Sequence, residues 1–185
     1  MDVKIITPVR RERDLESKML ESLDKALSCN SISWQMCVGP NIANNRNQLI
    51  DTSREYNLFW DSDVWMEKPL DTIRALVDRG KSIVCAAYQM RKESKAQLWT
   101  AGINGKPYIG MSSTGIHKVS WVGAGFLLVK VSVFEKLQRP YFRHEIVGDE
   151  EVSEDIGFCR LAERAGLASW LDCDNSVNHI IGGLR

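Results

Sequence analysis

The chain has 185 residues, 44% of them hydrophobic and 26% charged, and its 24 basic and 24 acidic side chains cancel to a formal net charge of zero. That length supports one domain with a substantial core. The balanced charge argues against a nucleic acid as the main partner, and no apolar run approaches the ~20 residues that span a bilayer.

The start, Met1-Asp2-Val3-Lys4-Ile5-Ile6, lacks the charged flank and cleavage site of a signal peptide. Five cysteines (Cys29, Cys37, Cys85, Cys159 and Cys173) are odd in number and form no Cys-x-x-Cys pair. This argues against a zinc knuckle or a disulfide framework. A reducing cytoplasm is the expected compartment.

Taken in order, residues 3–7 read as a short strand ending at Thr7-Pro8. Residues 12–28 carry Leu15, Met19, Leu23 and Leu27 at four-residue spacing, one helical stripe. A second strand is expected over 31–38, closed by Gly39-Pro40, and a second helix over 42–53. Residues 57–60 form a third strand that delivers Asp61 and Asp63. A helix over 70–79, stopped by Gly80, and a strand over 82–88 complete the first half. This alternation predicts an α/β fold, a mostly parallel sheet with helices on its faces, whose ligands sit beyond the carboxyl ends of the strands.

The second half changes character. Residues 97–103 and 107–109 around Asn104-Gly105 read as a hairpin. Strands follow over 117–121 and 125–131, then a short helix over 132–137 and an irregular charged segment over 139–153. A helix over 154–165 with Ile156, Cys159, Leu161 and Ala162 inward ends at Gly166, and a strand over 167–171 precedes a tail with His179. No repeat, low-complexity segment or linker divides the chain, so one domain is expected over 1–185.

Asp61-Ser62-Asp63 ends an apolar strand at the predicted ligand edge, where two carboxylates suit a hard divalent ion or a phosphate. A second Asp-x-Asp, Asp172-Cys173-Asp174, reads as a turn whose aspartates cap backbone amides. Ser153-Glu154-Asp155 reads as a helix cap with two acids on the N-terminal dipole. One of those carboxylates also suits a general base, with a pKa that the helix terminus lowers. His179 is either structural or a ligand for a manganese-type ion. Arg46, and Arg10, Arg11 and Arg13, serve as exposed ion pairs or as forks on a phosphate. The small residues Gly123-Ala124-Gly125 allow a sugar or the backbone to approach closely.

Four segments together resemble the nucleotide-sugar-dependent glycosyltransferases of the GT-A fold, the family-2-like group. They are Ile5-Ile6-Thr7-Pro8-Val9-Arg10; Asn44-Asn45-Arg46-Asn47 with Leu58-Phe59-Trp60-Asp61-Ser62-Asp63; Val122 to Val129; and Glu154-Asp155-Ile156-Gly157-Phe158-Cys159 with His179.

The resemblance implies a nucleotide-binding half over 1–90 and an acceptor and catalytic half over 91–185. It also implies a metal-dependent, inverting transfer of a sugar from a UDP- or GDP-sugar to an acceptor hydroxyl on a glycan, lipid or protein. Thr7, Pro8, Arg10, Arg46, Asp61, Ser62, Asp63, Gly123, Ala124 and Gly125 would line the donor site. Asp61, Asp63 and His179 would hold Mn2+ or Mg2+, with Asp63 the metal carboxylate and Asp61 near the ribose or sugar. Asp155, ahead of Glu154, would be the base.

Residues 91–94 and 139–153 would close over the donor. After the second strand, Cys37-Val38-Gly39-Pro40-Asn41 lacks the acid with which many relatives contact uracil. The chain is short for the group, as a minimal enzyme or one domain of a longer protein would be. The competing readings are a nucleotide-sugar-binding module without turnover and a sugar-1-phosphate nucleotidyltransferase. The latter's glycine-rich loop is not found in Thr7-Pro8-Val9-Arg10-Arg11.

Overall fold

The computed structural model describes residues 1–90, 98–103 and 106–180. From the N-terminus, β1 (Val3–Val9) leads through a 3-10 turn (Glu12–Asp14) to α1 (Ser17–Leu27). Next come β2 (Ile32–Val38), α2 (Ile42–Leu49), β3 (Tyr56–Trp60), β4 (Val64–Trp65), α3 (Pro69–Asp78) and β5 (Ile83–Ala86). The second half begins with β6 (Ala101–Ile103), β7 (Lys106–Pro107), β8 (Ile116–Val119), β9 (Trp121–Val122), β10 (Phe126–Lys130) and α4 (Val131–Phe134). It continues with β11 (Glu145–Val147), β12 (Glu150–Val152), α5 (Glu154–Arg164), β13 (Ser169–Asp172) and β14 (Asn178–His179).

A seven-stranded sheet in the order β2-β1-β3-β10-β5-β13-β8 forms the centre. β1 pairs in parallel with β2 and β3, and β13 with β5, while β10 runs antiparallel to both β3 and β5. β1, β2, β3, β5 and β13 therefore share one direction, and their carboxyl ends lie along one edge. That is the mixed, mostly parallel α/β sheet expected, with smaller antiparallel sheets beside it.

β3 is buried at every position, as is β10 from Phe126 to Val129, because both faces are covered. Each such Leu, Ile or Phe stabilises the fold by roughly 1.5–3 kcal/mol. Phe59 meets Phe142 edge-on at 4.6 Å, and Phe142 stacks on Phe158 at 4.6 Å. This aromatic file seats the 141–142 segment and α5 against the sheet.

Several local expectations change. The four-residue stripe runs out at Leu27, which is exposed, and Ala26 is buried in its place. Each four-residue step overshoots a full turn by about 40°, so three steps carry a side chain off the face. α2 stops at Leu49, and its buried face is Ala43, Asn45, Arg46 and Leu49 rather than an apolar stripe. The strand expected over 117–121 is split between two sheets, β8 on β13 and β9 on β6. The segment expected to be irregular over 139–153 contains an antiparallel hairpin, β11–β12, turning at Gly148 with φ +64°. β6 and β7 pair as the predicted hairpin requires, while its Asn104-Gly105 turn lies outside the described residues, as do 91–94.

Candidate functional site

The β3–β10 ladder ends at Trp60 opposite Phe126, and the chain turns there. The Asp61 N–H donates to the Gly125 carbonyl (2.9 Å), the Val64 N–H to the Asp61 carbonyl (3.2 Å), and the Trp60 indole to the Val64 carbonyl (2.7 Å). The Ser62 carbonyl accepts from the Glu16 N–H (3.2 Å). The turn is thus pinned largely by backbone groups, and both aspartates lie at the carboxyl edge of the sheet. They diverge: Asp61 goes to Arg46 and Asp63 to His179.

Arg46 is a buried cation, 3% exposed. Its Nη2 donates to both Asp61 oxygens (2.8 and 3.1 Å), and its Nη1 donates to Glu154 Oε1. Burial disfavours the charge, but the facing Asp61 and Glu154 carboxylates outweigh it and raise the pKa above the ordinary arginine value. α2 is locked in place by its asparagines, whose structural role has no signal in the sequence. Asn41 caps the helix by accepting the Asn44 N–H (2.9 Å). Asn45 donates to the carbonyls of Val9 (3.0 Å) and Gly39 (2.9 Å), clamping the ends of β1 and β2. Asn47 donates to the Phe142 carbonyl (2.7 Å) and accepts the Tyr141 and Phe142 N–H groups.

α5 brings in the two acids from the other half of the chain. Ser153 stands at the N-cap, but its hydroxyl donates to Asp155 Oδ1 instead of accepting from the helix backbone. Asp155 Oδ1 also accepts the Ile156 N–H (2.8 Å). The lowered pKa expected for Asp155 is reversed: burial pushes its carboxyl up, and neighbouring Glu154 adds to the rise, against the Ser153 hydroxyl and Arg46. Glu154 is committed to Arg46 and lies 3.7 Å from His144 Nε2, whose Nδ1 faces Glu151 at 3.5 Å. His144 was not anticipated, since it lies in a stretch expected to be irregular.

His179 reaches Asp63 because β14 pairs antiparallel with β4, setting His179 opposite Val64. Its Nε2 lies 3.5 Å from Asp63 Oδ2, and its Nδ1 is 2.8 Å from the Gln89 carbonyl. A carbonyl only accepts, so Nδ1 carries a proton toward Gln89, and in the neutral ring the lone pair lies on Nε2, the atom that faces Asp63. The donor set of Asp63 and His179 fits a divalent cation on these grounds. Both Asp61 oxygens accept from Arg46. Among the described residues, no group of three His, Cys, Asp or Glu side chains is arranged to hold a metal ion.

Tyr88, another residue without a sequence signal, packs edge-on against His179 with ring centroids 5.3 Å apart and accepts the Gly125 N–H at its hydroxyl (2.9 Å). A Cβ on Gly123 would lie 2.0 Å from the Tyr88 oxygen, and one on Gly125 would lie 2.8 Å from Tyr88 Cζ. The close approach expected at Gly123-Ala124-Gly125 is therefore made by this tyrosine, and all three residues are buried.

Thr7 and Pro8 are buried at the end of β1, with the Thr7 hydroxyl accepting from the Trp34 indole (3.0 Å), while Arg10 is exposed. At the end of β2 the Cys37 thiol faces Asn45 and Gln48. Asp172 and Asp174 behave as the turn reading expects. Both pair with Arg79, Asp172 accepts the Asp174 and Asn175 N–H groups, and Asp174 accepts the Gly115 N–H.

No protein-family model and no curated protein sequence matches the chain. Solved structures do share its fold. A197 from STIV aligns with a TM-score of 0.67 at 18% identity, over 98% of this chain and 87% of that one. S. aureus TarS 1–349 in complex with UDP-GlcNAc aligns at 0.57 and 16% identity, over 99% of this chain and 60% of that one. The same protein with UDP gives 0.57 at 15% identity, over 96% and 60%. The chain thus spans about 60% of that TarS fragment. The likeness shows a GT-A-like α/β fold.

Proposed function

We propose that this chain is a glycosyltransferase that moves a sugar from a nucleotide-diphosphate sugar to an acceptor hydroxyl, with inversion and with a divalent cation. The reading is carried by one observation: the two carboxylates of Asp61-Ser62-Asp63 are divided between Arg46 and His179 at the ligand edge of the sheet. The same fold in TarS was crystallised with UDP-GlcNAc, which favours a uridine diphosphate sugar.

In this reading Asp63 and His179 would hold Mn2+ or Mg2+, and the chemistry the ion would supply is stabilisation of charge on the nucleoside diphosphate leaving group. Asp61 and Ser62 lie toward the ribose or sugar. Thr7, Pro8 and Arg10 bound the nucleoside side, with Gly123-Ala124-Gly125 forming the floor beneath Tyr88. Asp155 is the base. Its Oδ1 is occupied by Ser153 and the Ile156 amide, so Oδ2 is the atom that takes the acceptor proton as the new bond forms at the anomeric carbon. Glu154, engaged by Arg46, supports Asp155 rather than replacing it. Five free thiols suit a reducing cytoplasm.

The test is a thermal-shift titration of the protein with UDP-GlcNAc, UDP and GDP-mannose, with and without Mn2+. A rise in Tm with UDP-GlcNAc plus Mn2+ that EDTA removes is the expected result. No shift with any of the three defeats the proposal. The engagement of Asp61 by Arg46 also suits a nucleotide-sugar-binding module without turnover. That module would show the same shift but release no UDP on prolonged incubation with Mn2+.

A further inference from the structure

Arg46 has none of the exposure that a fork for a mobile ligand needs. Its end nitrogens are taken by Asp61 and Glu154, its guanidinium carbon lies 5.7 Å from the centroid of the Phe142 ring, and its Nε is buried without a hydrogen-bond partner. The two carboxylates that it joins come from separate parts of the chain. Asp61 ends β3 at the donor edge, and Glu154 opens α5 beside Asp155.

The helix that carries Arg46 is itself held at two points. Asn45 fixes it to the ends of β1 and β2, and Asn47 fixes it to the 141–142 segment that packs on α5. A planar guanidinium spans two carboxylates at set angles, whereas an ammonium offers a single centre.

We infer that Arg46 is a positioning residue: it braces the β3–β4 turn against the first turn of α5 and so fixes the spacing between the donor edge and Asp155. The catalytic part of this inference rests on the glycosyltransferase reading. The mechanical part does not.

The experiment compares wild type with Arg46→Lys. The double variant Arg46→Gln plus Glu154→Gln, which removes a buried carboxylate together with the cation, carries the same measurements if Arg46→Lys does not fold. Amide hydrogen exchange is followed at residues 61–64 and 156–157. Affinity for UDP-GlcNAc with Mn2+ is measured by calorimetry, and turnover by UDP release. Faster exchange at both turns together is expected, with the dissociation constant within about threefold of wild type and UDP release down roughly a hundredfold, the usual scale for a misplacement near 1 Å.

Unchanged exchange at either turn overturns the brace. A tenfold weaker dissociation constant at unchanged turnover makes Arg46 a donor ligand instead. If wild type neither binds nor cleaves UDP-GlcNAc, the functional reading fails, and the exchange data still decide whether Arg46 couples the two turns.

Discussion

His179 lies with Nε2 3.5 Å from Asp63 Oδ2 while its Nδ1 is anchored 2.8 Å from the Gln89 carbonyl. Backbone pairing places the two residues, so the geometry survives loss of either side chain. Asp63→Ala and His179→Ala are each expected to keep the fold and to weaken Mn2+-dependent UDP-GlcNAc binding by at least about tenfold. Calorimetry with and without Mn2+ checks this, and wild-type affinity in either variant removes that residue from the metal set.

Asp174→Ala is the contrast. Its carboxylate caps the Gly115 N–H and pairs with Arg79 on a different turn, so donor and metal affinity are expected to match wild type. Asp172 is fully buried on the same arginine. Asp172→Asn removes one of the two carboxylates on the partly exposed Arg79 and is expected to cost about 1–3 kcal/mol in chemical denaturation.

Asp155→Asn is expected to lower turnover by roughly 10²–10⁴-fold while UDP-GlcNAc binding is retained, which separates chemistry from binding. The pH dependence follows from burial, which raises the Asp155 pKa above its usual 3.8. Turnover needs the ionised carboxylate, so it rises with pH through that raised value, and the acid limb sits above the ordinary aspartate range. For stability the sign is opposite. The protonated form is favoured in the folded chain, so this contribution is present below 3.8 and lost as pH rises through the folded value. A pH–rate profile with its acid limb at or below 3.8 contradicts the assignment.

Glu145 accepts from Arg164 above all, and from Arg143 and Arg160, which together hold its carboxyl down at about 2 against a usual 4.5. A depressed acid contributes stability above its unfolded value and loses it as pH falls from about 4.5 toward 2. Wild type is expected to lose Tm across that window, and Glu145→Gln to lose less. Equal slopes for the two proteins mean that the cluster is energetically silent.

Gly123→Ala drives a methyl to within 2.0 Å of the Tyr88 oxygen and 2.6 Å of Thr100 Cγ2. Both neighbours are held by packing, so the expected destabilisation is about 1–3 kcal/mol, read from urea denaturation. Tyr88→Phe in that background relieves part of the clash while orphaning the Gly125 amide, so recovery is incomplete.

The first half of the fold is legible in the sequence because each strand is a short apolar run closed by proline, glycine or aspartate, with helical stripes between. The turn at Asp61-Ser62-Asp63 and the structural use of Asp172 and Asp174 follow from the same signals. Arg46 is an ion pair, as one of the two readings has it, but its burial is not legible in the sequence, for a physical reason. A charge in mid-helix reads as solvated unless its partners are known, and Glu154 lies in the other half of the chain. Tyr88 carries no local pattern, since its role is set by two glycines far along the sequence. The β11–β12 hairpin had a signal, Gly148-Asp149, hidden in a stretch too acidic to look like strands. The direction of the Asp155 shift depends on burial, which helix-terminus reasoning does not supply.

The β4–β14 ladder, only two residues long on each side, has a consequence for how the molecule comes together. The seven-stranded sheet is complete at β13, and Val177 donates to the Ala87 carbonyl before the chain reaches His179. A chain ended just after that point would keep every strand of that sheet and still present Asp63 without its imidazole. Competence at this edge therefore depends on a ladder that the seven-stranded sheet does not include.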